Sequence, residues 1–419
     1  MTIQPPRPAG LGVTAEHVPG HLANPRSERG RAYGAAQRAV LSRESAEAAR
    51  REISAWPGYA PTALVELPGL AAAAGVARVA AKDEGGRFGL GSFKALGGAY
   101  AVLRRLKERI EAETGAQPPT DALLAGRFAD IAREMTVCCA TDGNHGRSVA
   151  WGARMFGLDC VIYIHENVSR GREAAIARFG AEVRRVEGTY DDSVRRAAED
   201  AAKNGWFAVS DTYCEGDGDM DPPRDVMAGY TVMAAEALAQ WGAPPPSHVF
   251  VQAGVGGLAA AVCGYNWETL GARRPRLVVV EPDKAACLFA SARRGRAAAI
   301  EGDCDTVMAG LAAGEPSLLA WDILGPGADD FLTVPDETAP ACMRLLAEGT
   351  AGDPPLVAGE SAVAGLAGFL GARGRPALAE ALHLGPRSRV LLFLTEGDTD
   401  PELYQRLVGR PAAAVRGRR

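Results

Sequence analysis

Between residues 60 and 394, short runs rich in β-branched residues alternate with longer stretches of helical period, and this alternation constrains the fold more than any other feature of the chain. The runs are RVAAKDE (78–84), TVCCAT (136–141), DCVIYI (159–164), EVRRVE (182–187), WFAVS (206–210), HVFVQA (248–253), RLVVVE (276–281) and RVLLFL (389–394). Strands separated in this way by helices build α/β units around a mostly parallel sheet. The stretches ALGGAYAVLRRLKERIEAE after Lys94 and NHGRSVAWGARMFG after Asp142 read as amphipathic helices, each directly behind a glycine-rich turn. A length of 419 residues suggests two or three folding units. Residues 113–130 and the polar segment EGDGDMDPPRD (215–225) mark the seams. The first fifty residues read as an irregular arm followed by a helix over 38–55, and the alanine-rich tail as a frayed end. No repeat of 20 to 50 residues is present.

A net charge of −5 and a pI near 5.8 argue against a nucleic-acid or anionic-membrane partner, both of which need clustered Lys and Arg. No window holds 18 consecutive apolar residues, and MTIQPPRPAG lacks the basic-then-apolar order of a signal peptide, so a soluble, cytoplasmic protein is expected. Cysteines 138, 139, 160, 214, 263, 287, 304 and 342 form no C-x-x-C pair and read as buried thiols of a reducing compartment. The six histidines show no ligand spacing. Asp217, Asp219 and Asp221 imitate the start of a calcium loop, but Pro222 takes its glycine position and Ala228 the place of its glutamate. No metal is expected.

Four stretches carry chemistry. Of 46 basic residues only Lys82, Lys94, Lys107, Lys203 and Lys284 are lysine, which singles out Lys94 in FGLGSFKALGGAYA (88–101). Glycines on both sides let a bulky group lie against the backbone there. The positive end of a helix, with desolvation, would lower the pKa of that amine and suit it to a Schiff base. In CCATDGNHGRSVAW (138–151) a strand ends in Thr141, Asp142, Gly143, Asn144 and His145. The N–H groups of the helix start can hold a substrate carboxylate, Asn144 a phenolic oxygen, and Asp142 a proton or an ammonium group. Taken alone, T-D-G-N is also an ordinary capped turn. HVFVQAGVGGLAAAVCGY (248–265) runs a strand into Gly254, Val255, Gly256, Gly257 and Leu258 ahead of a helix, a backbone cradle for phosphate. It also fits the dinucleotide pattern G-x-G-x-x-A with Glu281 on the next strand, which keeps a nicotinamide-dependent oxidoreductase open. Finally, LLFLTEGDTDPE (391–402) delivers Thr395 and Glu396 to a strand end, where a hydroxyl or a carboxylate can meet a ring nitrogen.

Taken together with YDDSVRRAAEDAAKNGWFAVSDT, VMAGLAAGEPS and FLTEGDTD, these phrases resemble the fold type II pyridoxal-phosphate enzymes, the group of tryptophan synthase β chains and serine and threonine dehydratases. Within that group the likeness is greatest to the ammonia-lyases acting on 2,3-diaminopropionate, and it covers roughly residues 60–400. The resemblance implies an α/β fold of two three-layer αβα domains with mostly parallel sheets and the cofactor in the cleft between them. Residues 1–101 with 225–419 would form the large cofactor domain, and 102–224 a smaller mobile one on the substrate side. It implies pyridoxal 5'-phosphate on Lys94, the phosphate on Gly254–Leu258, Asn144 at the phenolic oxygen, Thr395 at the pyridine nitrogen and Phe93 beside the cofactor. Thr141, Asp142, Gly143, His145 and Asp211 would bind substrate, with Lys94, Asp142 and Asp211 catalytic. The implied reaction is elimination of ammonia from 2,3-diaminopropionate to give pyruvate, by a homodimer, with a dehydratase of another β-substituted amino acid as the alternative. One departure lies after SDT, where Tyr213, Cys214 and Glu215 lead into a long acidic segment instead of an aromatic W-E-G-Y-like turn.

Overall fold

A computed structural model describes Val13 and residues 15–141, 143–214 and 219–417. The described residues gather into two compact units, one from Met1–Val40, Pro61–Gly86 and Met233–Arg419, the other from Leu41–Ala60 and Arg87–Val232. The helix Asp221–Trp241 is divided between them after Val232.

The first unit holds a seven-stranded sheet in the order Gly20–Ala23, Asp330–Val334, Arg276–Pro282, His248–Gln252, Arg389–Leu394, Arg78–Asp83, Leu64–Glu66. Its two edge strands pair antiparallel and the five between them parallel. The central strands are buried along most of their length, as expected of a sheet covered on both faces. Phe250, Val278, Val280, Leu332, Leu392 and the helix residue Phe369 form the heart of the core on one face. The second unit holds four parallel strands in the order Glu182–Val186, Asp159–His165, Thr136–Ala140, Phe207–Ala208.

All eight expected strands form within a few residues of their expected ends. Three more do not follow from composition. Gly20–Ala23 lies in what reads as an irregular arm, yet it pairs with Asp330–Val334 because the backbones approach closely: a Cβ on Gly20 would stand 2.5 Å from Thr333 Oγ1. Its neighbours then lock, since Asn24 donates to the carbonyls of Gly325 (2.8 Å) and Ala328 (2.7 Å) and Arg29 reaches Asp329 at 2.7 Å. The single helix expected over 38–55 is two, Ala35–Val40 and Arg43–Ser54. Ser42 starts the second, its hydroxyl accepting from the Ser45 N–H (3.2 Å) while the Ser45 hydroxyl accepts from the Ser42 N–H (3.1 Å).

Candidate active site

In a parallel sheet, ligands meet the ends of the strands where the chain turns into helices. In the second unit, the neighbouring strands Thr136–Ala140 and Phe207–Ala208 run parallel and deliver Thr141, Gly143, Asn144, His145 and Asp211 to the same end of the sheet. Lys94 opens the 21-residue helix Lys94–Thr114 after a loop that turns through left-handed conformations at Phe88 (φ 50°), Gly89 (69°) and Gly91 (82°). A phenylalanine in that region costs of order 1 kcal/mol. Packing of its ring on Trp151 (4.9 Å) and Trp56 (5.9 Å) holds it there.

Gly97 and Gly98 have a different purpose from the one their sequence context suggests. A Cβ on Gly97 would stand 2.5 Å from the Tyr230 ring and one on Gly98 2.8 Å from Ser148 Oγ, so these glycines admit neighbouring helices and not a ligand.

The Lys94 amine forms an ion pair with Asp211 Oδ2, both side chains about four-fifths buried. It stands 5.6 Å from the ring centre of Phe93 and 5.8 Å from that of Tyr230, and those two rings pack at 4.6 Å with a tilt of 52°. Burial acts to lower the amine pKa, as the sequence suggests, but the carboxylate beside it outweighs burial and raises it above the usual lysine range. Asp211 is pushed down in turn, since Lys94 and His145 outweigh its own desolvation. His145 Nε2 donates to the Val209 carbonyl at 2.8 Å, so Nδ1, 3.9 Å from Asp211 Oδ2, is the nitrogen turned to the acid. Burial, chiefly, holds that imidazole below its usual range.

Thr141 Oγ1 accepts from the N–H groups of Gly143 (3.0 Å) and Gly146 (3.1 Å), capping the helix Asn144–Phe156 and narrowing the donors the turn can lend to a carboxylate. Asp142 lies outside the described residues. Of the acidic run, Asp217 and Glu215 also lie outside them, while Asp219 (3.1 Å) and Asp221 (3.8 Å) face Arg105.

In the first unit, the adjacent strands His248–Gln252 and Arg389–Leu394 bring Gly254–Leu258 and Thr395 to one sheet edge. Gly256 caps the helix Gly257–Leu270 at φ 103°, a conformation only glycine adopts without strain. A Cβ on Gly254 would crowd the Leu311 backbone at 3.2 Å. Gly254 and Val255 are half-buried and the rest of the loop is buried, leaving backbone amides behind a helix start as the groups it presents. Thr395 Oγ1 accepts from Gln252 Nε2 at 2.8 Å, and the same nitrogen donates to the carbonyls of Phe393 (2.9 Å) and Ala362 (3.1 Å). The threonine hydrogen is therefore directed elsewhere, as a donor. Glu396, the other candidate at this strand end, accepts from the Ser361 N–H (3.3 Å) and the Thr399 hydroxyl (3.2 Å). In the first unit a glycine-capped anion loop beside a threonine hydroxyl suits a phosphate group, and in the second an acid-paired lysine suits an aldehyde.

The dinucleotide reading fails at Glu281. Its carboxyl is fully buried and accepts from the N–H groups of Leu288 (2.8 Å) and Phe289 (2.7 Å), so it caps the helix Cys287–Arg294 and cannot meet a ribose. Burial raises its pKa to about 8. The folded chain thus holds a proton that the unfolded chain releases near 4.5, so the associated stability is complete below that value and drains away as pH climbs to 8. Each pH unit in the window costs about 1.4 kcal/mol. Glu281→Gln is expected to flatten the fall in Tm between pH 6 and 8. An unchanged slope would assign that pH dependence to another group.

Sequence reasoning passes over Tyr230, Arg147 and Gln252. Tyr230 sits in an apolar helical run and reads as core, Gln252 matters only through partners more than 100 residues away, and Arg147 joins Asn144, one turn earlier, to Leu90, 57 residues away. Arg147 is buried on the helix Asn144–Phe156, with donors on Leu90 and Asn144.

A parallel α/β scaffold with an acid-paired lysine at one helix start and a glycine-rich turn at another is a setting suited to a pyridoxal-phosphate enzyme. Residues 55–396 match the family of pyridoxal-phosphate dependent enzymes, and the chain belongs to it. It is 38% identical to the diaminopropionate ammonia-lyase of Escherichia coli K12 over 383 residues, 90% of this chain and 94% of that one. To the Salmonella typhimurium enzyme of the same name it is 38% identical over 85% of this chain and 90% of that one. Among solved structures, the Escherichia coli diaminopropionate ammonia lyase in complex with D-serine superposes with a TM-score of 0.84 at 35% identity, covering 94% of this chain and 98% of that one.

Proposed function

We propose that this chain eliminates ammonia from 2,3-diaminopropionate, leaving pyruvate, with pyridoxal phosphate carried on Lys94. The observation that carries the reading is the pairing of the Lys94 amine with Asp211. When the Lys94 amine is neutral, as a proton acceptor has to be, Asp211 loses its cation, and a buried carboxylate without one is costly. A substrate with a β-ammonium group restores the pair; a substrate with a β-hydroxyl does not. The β-ammonium group also leaves as neutral ammonia and needs no acid, whereas hydroxide needs one.

Bound pyridoxal phosphate supplies the electron sink that makes the Cα proton acidic. Gly254, Val255, Gly256, Gly257 and Leu258 would hold its phosphate, Thr395 would face its pyridine nitrogen, Asn144 its phenolic oxygen, and Phe93 would lie beside it. Lys94, as a free amine, would take the Cα proton on its own face, and Asp142 would serve the opposite face. Asp211 pairs with the β-ammonium group. Thr141, Gly143 and His145 shape the substrate side, His145 with its imidazole fixed by Val209.

The test is pyruvate release from D- and L-diaminopropionate against D- and L-serine. An unpaired buried carboxylate is worth about 3 kcal/mol, so kcat/KM for the diamino acid is expected to exceed that for serine about 100-fold. A preference for serine or threonine would make the chain a dehydratase.

We also propose a cytoplasmic homodimer. Six of the eight cysteines are buried thiols and all eight are free, in keeping with a reducing compartment, and no helix among the described residues is long and apolar enough to cross a membrane. Light scattering at micromolar protein is expected to give twice the chain mass, and a strict monomer would refute the dimer.

A further inference from the structure

We propose that Arg147 is a positioning residue that fixes which end of the Asn144 amide meets the cofactor, an inference that rests on the reading of Asn144 given above. Arg147 lies one turn after Asn144 in the helix Asn144–Phe156 and is 7% exposed. Its Nη2 donates to Asn144 Oδ1 at 2.9 Å, and its Nη1 to the Leu90 carbonyl at 2.8 Å, in the loop that leads into Lys94. One planar guanidinium thus ties the Asn144 turn to the lysine loop.

The chemistry of the pair dictates its polarity. A primary amide has an accepting and a donating end, and the two are interchanged by a half-turn about its last torsion. A guanidinium has donors alone and never loses its proton in a protein, so the atom facing it has to be the amide oxygen. The opposite end of Asn144 is then Nδ2, a donor. A donor beside the phenolic oxygen favours the phenolate form of the lysine-bound cofactor, which absorbs in the visible, over the neutral phenol form, which absorbs in the near ultraviolet. A glutamine at 147 could turn over together with Asn144 and lose that bias. This explains why a charge that is expensive to bury stands where a neutral donor would reach.

The experiment uses the loaded enzyme without substrate and reads the ratio of its visible to its near-ultraviolet band, counted only over bound cofactor. Asn144→Ala is expected to lower that ratio about tenfold. Asn144→Asp, which keeps an acceptor toward Arg147 but offers no donor at the other end, should lower it at least as far. Arg147→Met should lower the ratio severalfold, and in the Asn144→Ala background it should change nothing more. Should Arg147→Met fail to fold, Arg147→Lys, with one point donor for two acceptors, is expected to fall between wild type and Asn144→Ala. An unchanged ratio in Asn144→Ala would overturn the role of Asn144 itself. A lowered ratio there with wild-type ratios in the Arg147 variants would overturn the role of Arg147 alone. A loss of Tm or cofactor occupancy in those variants with the ratio intact would do the same, since it reports only a structural arginine.

Discussion

Lys94→Ala is expected to yield a chain that borohydride cannot join to pyridoxal phosphate and whose turnover is lower by about 10⁴-fold, the upper range for loss of a positioned base. The other lysines have commitments that exclude them. Lys82 is fully buried, its amine held by the Thr62 carbonyl (2.6 Å), Glu236 (2.7 Å) and Gln240 (3.0 Å). Lys107 is buried against Glu52 at 3.0 Å. Lys203 is exposed near the end of the helix Tyr190–Asn204, and Lys284 pairs with Asp336 at 2.9 Å on the surface. Reduction of the wild-type holoenzyme followed by peptide mapping should place the label on Lys94. A label on Lys82 or Lys284 would refute the assignment.

The sequence singles out that lysine as a candidate because the chain uses arginine almost everywhere else, so rarity and a glycine-rich setting point to one residue. The parallel core was legible for a similar reason: strands such as RLVVVE and RVLLFL have a local composition that agrees with their place in the sheet. Gly20–Ala23 was not legible. Its residues carry no β preference, and it is a strand only because Asp330–Val334 offers an open edge. Burial of Asp330, held by Arg276 at 2.6 Å and His21 at 3.0 Å, likewise depends on partners about 50 and 300 residues away.

The site divides along the same line. Residues that present backbone or reactive groups sit in turns with a signature, as Gly254–Leu258, Thr141 and Gly143 do. Residues that orient them carry none, because an arginine, a glutamine or a tyrosine in a helix or strand looks the same whatever it touches. Glu281 is the instructive reverse. It stood in the right place for a ribose ligand, and only its direction, inward onto the start of a helix, removes the nicotinamide alternative.

Asp211→Asn is expected to lower kcat/KM for diaminopropionate about 100-fold while changing the value for serine less than about 10-fold, because only the first substrate brings a cation to the site. The same substitution carries a pH signature. In the wild-type chain Asp211 raises the Lys94 amine above its ordinary range, so the unprotonated amine that attacks an aldehyde is scarce at neutral pH, and cofactor loading of the apoenzyme should speed up as pH rises. With asparagine the counter-charge is gone and burial acts unopposed, which lowers the amine. Loading should then approach its plateau at a lower pH. The measurement is the rate at which the visible band appears after pyridoxal phosphate is added to apoenzyme, from pH 6 to 9, for both proteins. A profile that does not move would mean that Asp211 does not set the charge of Lys94. Equal losses of kcat/KM for the diamino acid and for serine would move Asp211 from recognition of the β-ammonium group to a step that both substrates share.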